Sequence, residues 1–301
     1  MPTAVVDVSL VPNDLPPSVN FHLWEPCNMR CRFCFATFQD VRQTVLPKGH
    51  LPREEALQLV KLLAARFQKL TFAGGEPLLC PWLPELVRAA KGQGATTMLV
   101  TNGSRLTHER LSLFEGALDW VTLSIDSPFP ETHVALGRAV QGKAIDAGDY
   151  LNIANLIRDA GIRFKVNTVV TSLNAHEDQT EFLRRLMPER WKLLRVLPVD
   201  GQNSGKVEPL LCSDEAFLGF VARHQCLATE GVTLVPEDNE DMRGSYAMVD
   251  PAGRFFDNAE GRHRYSEPIL HRGIDAAWSQ VHFSMPRFER RGGNYDFGGA
   301  R

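Results

Sequence analysis

Between Val19 and Leu197 the chain alternates six times between a short apolar run and a stretch with helical signals. Strands are expected at Val19–Trp24, Leu70–Ala73, Thr97–Thr101, Trp120–Ile125, Arg163–Val170 and Trp191–Leu197. Helices are expected between them at Arg53–Phe67, Leu83–Gln93, Thr107–Leu113, Tyr150–Ala160 and Ala175–Met187. Such alternation makes successive strands parallel, because each helix carries the chain back across the sheet in a right-handed crossover. The fold class is therefore α/β, as an open sheet or a barrel. The side-chain period separates the two. Val19, Phe21 and Leu23 share one face of the first strand, and Asn20 and His22 share the other. Val121, Leu123 and Ile125 oppose Thr122, Ser124 and Asp126, while Phe164, Val166 and Thr168 oppose Lys165 and Asn167. A parallel strand covered on both faces reads as a continuous apolar run. These strands instead carry one polar face each, as expected for a partial (βα)6 barrel of TIM type with a substrate-filled lumen. The competing reading is a set of edge strands facing water.

Pro198 ends the alternation. Beyond it come a polar loop, Gly201–Lys206, and a helix, Asp214–Glu230, capped by Ser213. A short strand is expected at Val232–Pro236 and a hairpin at Tyr246–Val249 and Gly253–Phe256. The tail Arg290-Arg291-Gly292-Gly293-Asn294-Tyr295 is basic and glycine-rich. This region reads as an α+β extension covering the barrel mouth. The expected division is 1–18 as an N-terminal extension, 19–198 as the barrel and 199–301 as the C-terminal extension. A net charge of −3 gives no basic field to attract nucleic acid. No apolar run has the length of a membrane span, and Met1–Ser18 has neither a signal-peptide core nor an amphipathic face. Six cysteines in 301 residues are too sparse for a disulfide framework. A monomer in a reducing cytoplasm is expected.

Three of those cysteines fall within eight residues, as Cys27-Asn-Met-Arg-Cys31-Arg-Phe-Cys34. Thiolates hold iron–sulfur clusters, and a 4Fe-4S cubane needs four ligands. Three protein thiolates leave one iron open to a small molecule. Zinc is an alternative if His22 or His50 completes the set, although the surrounding sequence is not a finger or ribbon. Inert packed thiols are another, and Cys80, Cys212 and Cys226, each alone, are read that way. The cysteine loop follows the first strand, on the rim where barrels gather their active-site loops. Gly74-Gly75 follows the second strand and allows close backbone approach, with Glu76 presenting a carboxylate or carbonyl to a cation or amine. Asn102-Gly103 ends the third strand and Ser124-Ile-Asp126 the fourth. Each alone reads as a turn or helix cap; together on one rim they read as ligand contacts.

Cys27-x3-Cys31-x2-Cys34, with Phe33 before the last cysteine, and Gly74-Gly75-Glu76-Pro77 after the second strand resemble the motifs of the radical S-adenosylmethionine enzymes. Within that superfamily the chain is most similar to the viperin family. The similarity lies in Val19–Phe35, Asn102-Gly103-Ser104, Ser124–Ser127, Gly137-Arg138, Phe164–Asn167, Arg190–Lys192, Val235–Glu237 and Arg291–Tyr295. It lacks the membrane-associating N-terminal helix of the animal members. The resemblance implies that the open iron chelates S-adenosylmethionine, and that reduction then releases a 5′-deoxyadenosyl radical. The radical takes the ribose 4′-hydrogen of a nucleoside triphosphate such as CTP, UTP or GTP. Loss of water gives a 3′-deoxy-3′,4′-didehydro nucleotide, an antiviral chain terminator. It also implies Gly74, Gly75 and Glu76 at the methionine amino group, Asn102 and Ser124 at the ribose or methionine, and Arg138 at the carboxylate. Asn167 is implied at the phosphates and Tyr246 near the nucleotide. The electron donor is expected to be of flavodoxin or ferredoxin type.

A triphosphate needs fixed cations. Lys165 sits on the polar face of its strand, where a buried lysine demands an anionic partner. Lys192 lies in the neighbouring strand, with Arg190 two residues before it, and Lys69 starts the second strand. Phosphate binding is preferred for Lys165 and Lys192 over structural ion pairs. Arg195 reads as an ion-pair residue, and Arg138, Gly142 and Lys143 form a basic loop in which Lys143 binds phosphate or is simply solvated. The tail closes over the γ-phosphate or is disordered. The competing functions are a radical maturase of peptides or RNA and a non-catalytic iron–sulfur scaffold.

Overall fold

The computed structural model of the chain describes residues 15–298, so the expected N-terminal extension falls almost wholly outside the described residues. Six strands appear within two residues of their expected bounds: β1 (Ser18–Trp24), β2 (Lys69–Gly74), β3 (Thr96–Thr101), β4 (Trp120–Ser124), β5 (Arg163–Val170) and β6 (Arg190–Arg195). Each pairs in parallel with the next. The two faces separate as the sequence pattern requires. Val19, Phe21, Leu70, Phe72, Val121, Leu123, Phe164 and Val166 are buried against the surrounding helices, where Leu59, Leu63, Leu86, Val87 and Ile157 meet them. Burying each large aliphatic or aromatic side chain contributes about 1.5–3 kcal/mol. The opposite faces of β1 to β6 line one cavity together. Only a strongly curved sheet brings six strands round one space, so the barrel reading holds over the open sheet.

The C-terminal region does more than cover this barrel. β7 (Thr233–Glu237) adds in parallel to β6, and β8 (Met248–Val249) adds in parallel to β1. β9 (Arg254–Asp257) and β10 (Arg264–Pro268) continue from β8 as an antiparallel meander. The result is one sheet in the order β10-β9-β8-β1-β2-β3-β4-β5-β6-β7. The expected mouth cover is thus partly corrected, because residues 233–268 lengthen the barrel wall at both edges. What does sit at the mouth is the loop Gly201–Lys206. Asn203 Nδ2 donates to Phe33 O at 3.1 Å, and Gln202 Oε1 accepts from the backbone N–H groups of Thr37 and Phe38 at 2.9 Å each.

The tail lies at the other end. Lys69, Thr96, Trp120, Arg163 and Arg190 are the first residues of β2 to β6. Their side chains bond in turn to Tyr295 Oη, Gly298 O, Phe297 O, Asp296 O and Gly292 O. Residues 292–298 therefore cross beneath the strand starts and floor the barrel. Two expected helices also differ. Ala175–Met187 begins at Thr180, because Asn174 folds the preceding residues into a turn: its Oδ1 accepts from Thr171 N at 2.7 Å and its Nδ2 donates to Asp126 O at 2.7 Å. Asp214–Glu230 breaks into Asp214–Arg223 and Cys226–Thr229 where His224 turns inward to accept from Gln179 N at 2.8 Å. Helix Pro130–Leu136 was not expected, although Pro130 at its first position and Gly137 just past its end are start and stop signals. Deleting residues 292–301 is expected to leave the far-UV circular dichroism intact and to lower the urea midpoint, since five strand ends lose a partner. An unchanged midpoint would show that the tail does not bear on the sheet.

Candidate active site

The cysteine loop leaves β1 at the rim and is gripped on two sides by glycine backbone. Gly75 N donates to Trp24 O, and Glu76 N to Pro26 O at 3.0 Å. A Cβ on Gly75 would lie 2.2 Å from Glu25 O and 2.5 Å from Pro26 O, so no side chain fits there. The close backbone approach shown here is to the cysteine loop rather than to a ligand. On the far side Arg30 N donates to Gly137 O at 3.1 Å, and Arg32 N to Leu136 O at 2.9 Å. Gly137 has φ +79°, and a Cβ there would lie 2.2 Å from Arg30 O. This second clamp was quoted in the sequence only as part of a family segment; its packing role was not foreseen.

Glu76 faces away from the cavity. Its buried carboxylate accepts from Leu78 N at 3.0 Å, Thr101 Oγ1 at 2.7 Å and Asn102 N at 2.9 Å, tying the glycine loop to the end of β3. Burial pushes its pKa up against these bonds. Its carbonyl accepts from Leu79 N at 3.1 Å, so each of its oxygens has a partner within the protein. Asn102 lines the cavity and donates to Asn28 Oδ1 in the cysteine loop at 2.9 Å. Ser124 and Arg138 also line it. Arg138 is buried, its Nε donating to Asp126 and its guanidinium 5.5 Å from the Phe33 ring centre. It is a fixed cation beside the thiols.

Cys27, Cys31 and Cys34 are free thiols facing this same cavity. Burial pushes Cys27 up to about 11 and Cys31 up to about 12, and raises Cys34 as well. Such thiols stay protonated until a metal displaces the proton. The zinc alternative loses its fourth ligand here. His22 packs edge-on against Phe35, Phe38 and Phe256, and His50 stacks on Trp24 at 4.1 Å. Among the described residues no three His, Cys, Asp or Glu side chains converge as a site for one metal ion. Three thiols on one loop, clamped by glycines and facing a cavity, fit a polynuclear cluster with an open side.

Below the thiols the cavity continues to the floor, with a volume of about 850 Å³. That is near the upper end of ligand pockets, about 300–1,000 Å³. Its wall is the polar strand face: Asn20 and His22 of β1, Lys69 and Thr71 of β2, Lys165 and Asn167 of β5, and Lys192 of β6. The β4–β5–β6 register sets Asn167 between Ser124 and Lys192, and Lys165 beside Arg190. Lys165 is 6% exposed and has no hydrogen-bond or ion-pair partner among the described residues. Burial, then the neighbouring Lys192 and Lys69, hold its pKa well below that of an ordinary lysine. Asn167 Oδ1 is buried without a partner. Lys69 is similarly depressed, by burial and then Lys192, and donates to Tyr295 Oη at 2.8 Å.

Two expected ligands have structural company. Lys192 ion-pairs with Glu237 and donates to Tyr246 Oη at 2.6 Å, so the structural pair weighed against phosphate binding is present. Burial lowers its pKa to about 8, with Glu237 opposing the shift. Arg190 does not line the cavity; its guanidinium lies 4.0 Å from the Tyr295 ring centre and holds the tail. Arg195 pairs with Asp214 as expected. Glu237 and Arg291 enter the site without having been singled out. Arg291 is buried, lines the cavity and lies 3.6 Å from the Tyr246 ring centre.

A fold of this kind, with a cysteine loop on its rim, defines a class. The Radical SAM superfamily model matches residues 24–186, from the end of β1 to helix Thr180–Leu186. Streptococcus suis SuiB bound to S-adenosylmethionine shares the fold, with TM-score 0.62 at 15% identity over 80% of this chain and 59% of that one. Two sequence relatives narrow the class, each named S-adenosylmethionine-dependent nucleotide dehydratase. The protein of Lacinutrix mariniflava is 50% identical over 93% of this chain, which spans 59% of that relative's length. That of Flammeovirga pacifica is 48% identical over 95% of this chain and 97% of its own. The chain belongs to this nucleotide dehydratase family, the viperins, within the radical SAM superfamily.

Gly137→Ala is expected to cost about 1–3 kcal/mol, from backbone strain at positive φ. It should also speed alkylation of Cys27, Cys31 and Cys34 in the metal-free protein, because the loop loses one clamp. Urea unfolding and timed mass spectrometry read the two effects. Unaltered alkylation would remove Gly137 from the support of the loop.

Proposed function

We propose that this chain converts a nucleoside triphosphate to its 3′-deoxy-3′,4′-didehydro derivative, using S-adenosylmethionine. The observation that carries this reading is Lys165: a buried lysine with no hydrogen-bond or ion-pair partner among the described residues, lining the cavity beside the orphaned Asn167 Oδ1. An unpaired buried charge is costly unless a ligand completes it. Lys69, Lys192 and Arg291 face the same space, and together they suit a polyphosphate rather than a single carboxylate. When bound at Cys27, Cys31 and Cys34, a 4Fe-4S cluster with one open iron supplies chelation and reductive cleavage of S-adenosylmethionine.

The protein's own residues divide the cavity into two ends. At the rim, Gly74 and Gly75 offer backbone to the methionine amino group, Asn102 and Ser124 face the ribose or methionine, and Arg138 offers a fixed cation to the carboxylate. Glu76 serves this end by bracing the glycine loop. At the floor, Lys69, Lys165, Asn167, Lys192 and Arg291 take the phosphates, with Tyr246 beside the nucleotide. Arg190 acts through the tail that closes the floor. A triphosphate anchored below places its ribose between floor and rim, which is where a radical generated at the rim has to act. The walls exclude water from that space.

A peptide or RNA maturase is disfavoured, because a floor closed by residues 292–298 suits a short anionic ligand better than a passing chain. A non-catalytic scaffold leaves Lys165 unexplained. Loss of water is redox-neutral, but reductive cleavage of S-adenosylmethionine and reduction of the substrate radical would each take one electron from outside, for which a flavodoxin or ferredoxin type donor is the proposed partner. No helix among the described residues is long and apolar enough to cross a membrane. We place the protein in the cytoplasm as a monomer; the product's antiviral role as a chain terminator follows from the same reading.

The test is anaerobic turnover with dithionite. Release of 5′-deoxyadenosine is expected to rise only when CTP, UTP, GTP or ATP is added, together with a nucleotide lighter by one water. Stimulation by none of the four overturns the proposal. Lys165→Met adds a second measurement with two signs. It should weaken nucleotide binding by about 1.5–3 kcal/mol, the worth of a charge-assisted contact. It should also raise the melting temperature of the nucleotide-free protein, because a buried unpaired charge is gone. An unchanged KM would remove Lys165 from the site.

A further inference from the structure

Glu237, the last residue of β7, lies behind the lumen wall rather than on it. It is fully buried, yet three cavity-lining side chains from different elements converge on its carboxylate. Lys192 of β6 forms an ion pair with it. Arg291, from the segment leading into the tail, places Nη1 3.6 Å from its Oε1. Tyr246, ahead of β8, donates its hydroxyl to Oε2. The three are also linked to one another. Lys192 Nζ donates to the Tyr246 hydroxyl at 2.6 Å, and the Arg291 guanidinium lies 3.6 Å from the Tyr246 ring centre. The remaining charged neighbours are cations, Lys165, Lys69 and Arg190. The nearby Asp241 is bound to Arg290 at 3.0 Å and to Asp238 N at 3.3 Å.

A lumen built to grip a polyanion has to fold while empty. Like charges packed in a low-dielectric space repel, and buried cations need counter-charge. Among the described residues Lys165 and Lys69 have no carboxylate in contact, whereas Lys192 and Arg291 share one. We propose that Glu237 is the built-in counter-ion of the lumen: it holds Lys192, Arg291 and Tyr246 in place while the cavity is empty and shares the two cations with the triphosphate once that binds. This rests on the triphosphate reading above. Glu237 is a positioning residue, since it acts through side chains that touch the ligand and does not touch it.

The consequence is a pH signature that packing alone does not produce. In the wild type Glu237 favours the protonated form of Lys192, against burial that lowers its pKa to about 8. Glu237→Gln keeps the shape and an acceptor for Tyr246 but removes the charge. At acid pH, with Lys192 still protonated, the loss of a competing carboxylate favours the bound polyanion. As pH rises, Lys192 loses its proton earlier in the variant, and affinity falls earlier.

The experiment is equilibrium binding to the cluster-loaded protein from about pH 6 to about pH 9, with inorganic tripolyphosphate and the four nucleoside triphosphates as probes. Glu237→Gln is expected to match or exceed the wild type near pH 6. By pH 9 it should fall behind by about tenfold, the factor for one pKa unit. The free variant should melt lower than the wild type, and tripolyphosphate should recover more of its melting temperature. A pH profile parallel to the wild type, however weakened, overturns the proposal, because it marks a packing role. Glu237→Asp keeps the charge and guards against a misfolded glutamine variant; its profile should run parallel to the wild type, and a profile that falls early overturns the proposal equally. A wild type that binds tripolyphosphate but no nucleotide sinks the nucleotide reading while leaving the counter-ion tested. A wild type that binds neither sinks both.

Discussion

Positive charge buried without matching negative charge is the constraint around which this barrel is organised. A parallel barrel of this size would be more stable with an apolar lumen, because each ammonium withdrawn from water carries a desolvation cost that contacts inside must offset. The protein instead places Lys69, Lys165, Lys192 and Arg291 round the lower half of one cavity and lets burial drag the lysines toward their neutral forms. On the function proposed above, stability of the empty protein is given up in order to fit an anionic occupant. Lys192 and Arg291 have Glu237 for relief, and Lys69 has the tail's Tyr295 hydroxyl and two aromatic ring faces, with Nζ 4.4 Å from the Tyr295 ring centre and 4.1 Å from that of Phe297. Lys165 alone of the four has no such partner among the described residues, and on the function proposed above a ligand supplies it.

The rim follows a different logic. There the constraint is backbone proximity rather than charge. Gly74, Gly75 and Gly137 exist as glycines because carbonyls of Trp24, Glu25 and Arg30 lie where a Cβ would be. The cysteine loop is therefore bolted to the ends of β2 and of helix Pro130–Leu136. Arg138, the residue after the second clamp, is delivered to the thiols by the same geometry and is fixed by Asp126. One turn of chain thus positions the loop and supplies the cation beside it.

How much of this could be read from the sequence depends on whether the signal was local. Alternation along a strand is local, so the polar faces of β1, β4 and β5 and the six-strand core were legible, and the three cysteines declared themselves by spacing. Contacts made across the fold were not. Nothing around Glu237 announces that Lys192, 45 positions earlier by the numbering, and Arg291, 54 positions later, will meet on its carboxylate. The bracing contacts of Glu76 depend on Thr101 and Asn102 arriving at the end of β3. The tail's position at the floor rather than the mouth was equally hidden, because its partners are the first residues of five strands scattered over more than a hundred positions. Short helices such as Pro130–Leu136 carried start and stop signals that the strand-based reading passed over.

The two ends of the cavity also come from different parts of the chain. The rim is assembled from the loops that follow β1 to β4, all within the segment that matches the superfamily model. The floor draws its lysines from that segment but obtains Arg291, Tyr295, Tyr246 and Glu237 from beyond residue 232. The two ends therefore draw on different segments of one chain. The C-terminal region also bears on the cysteine loop, because Asn203 and Gln202 hold the backbone of Phe33, Thr37 and Phe38. The two segments are joined in one sheet as well, since β7 attaches to β6 and β8 to β1.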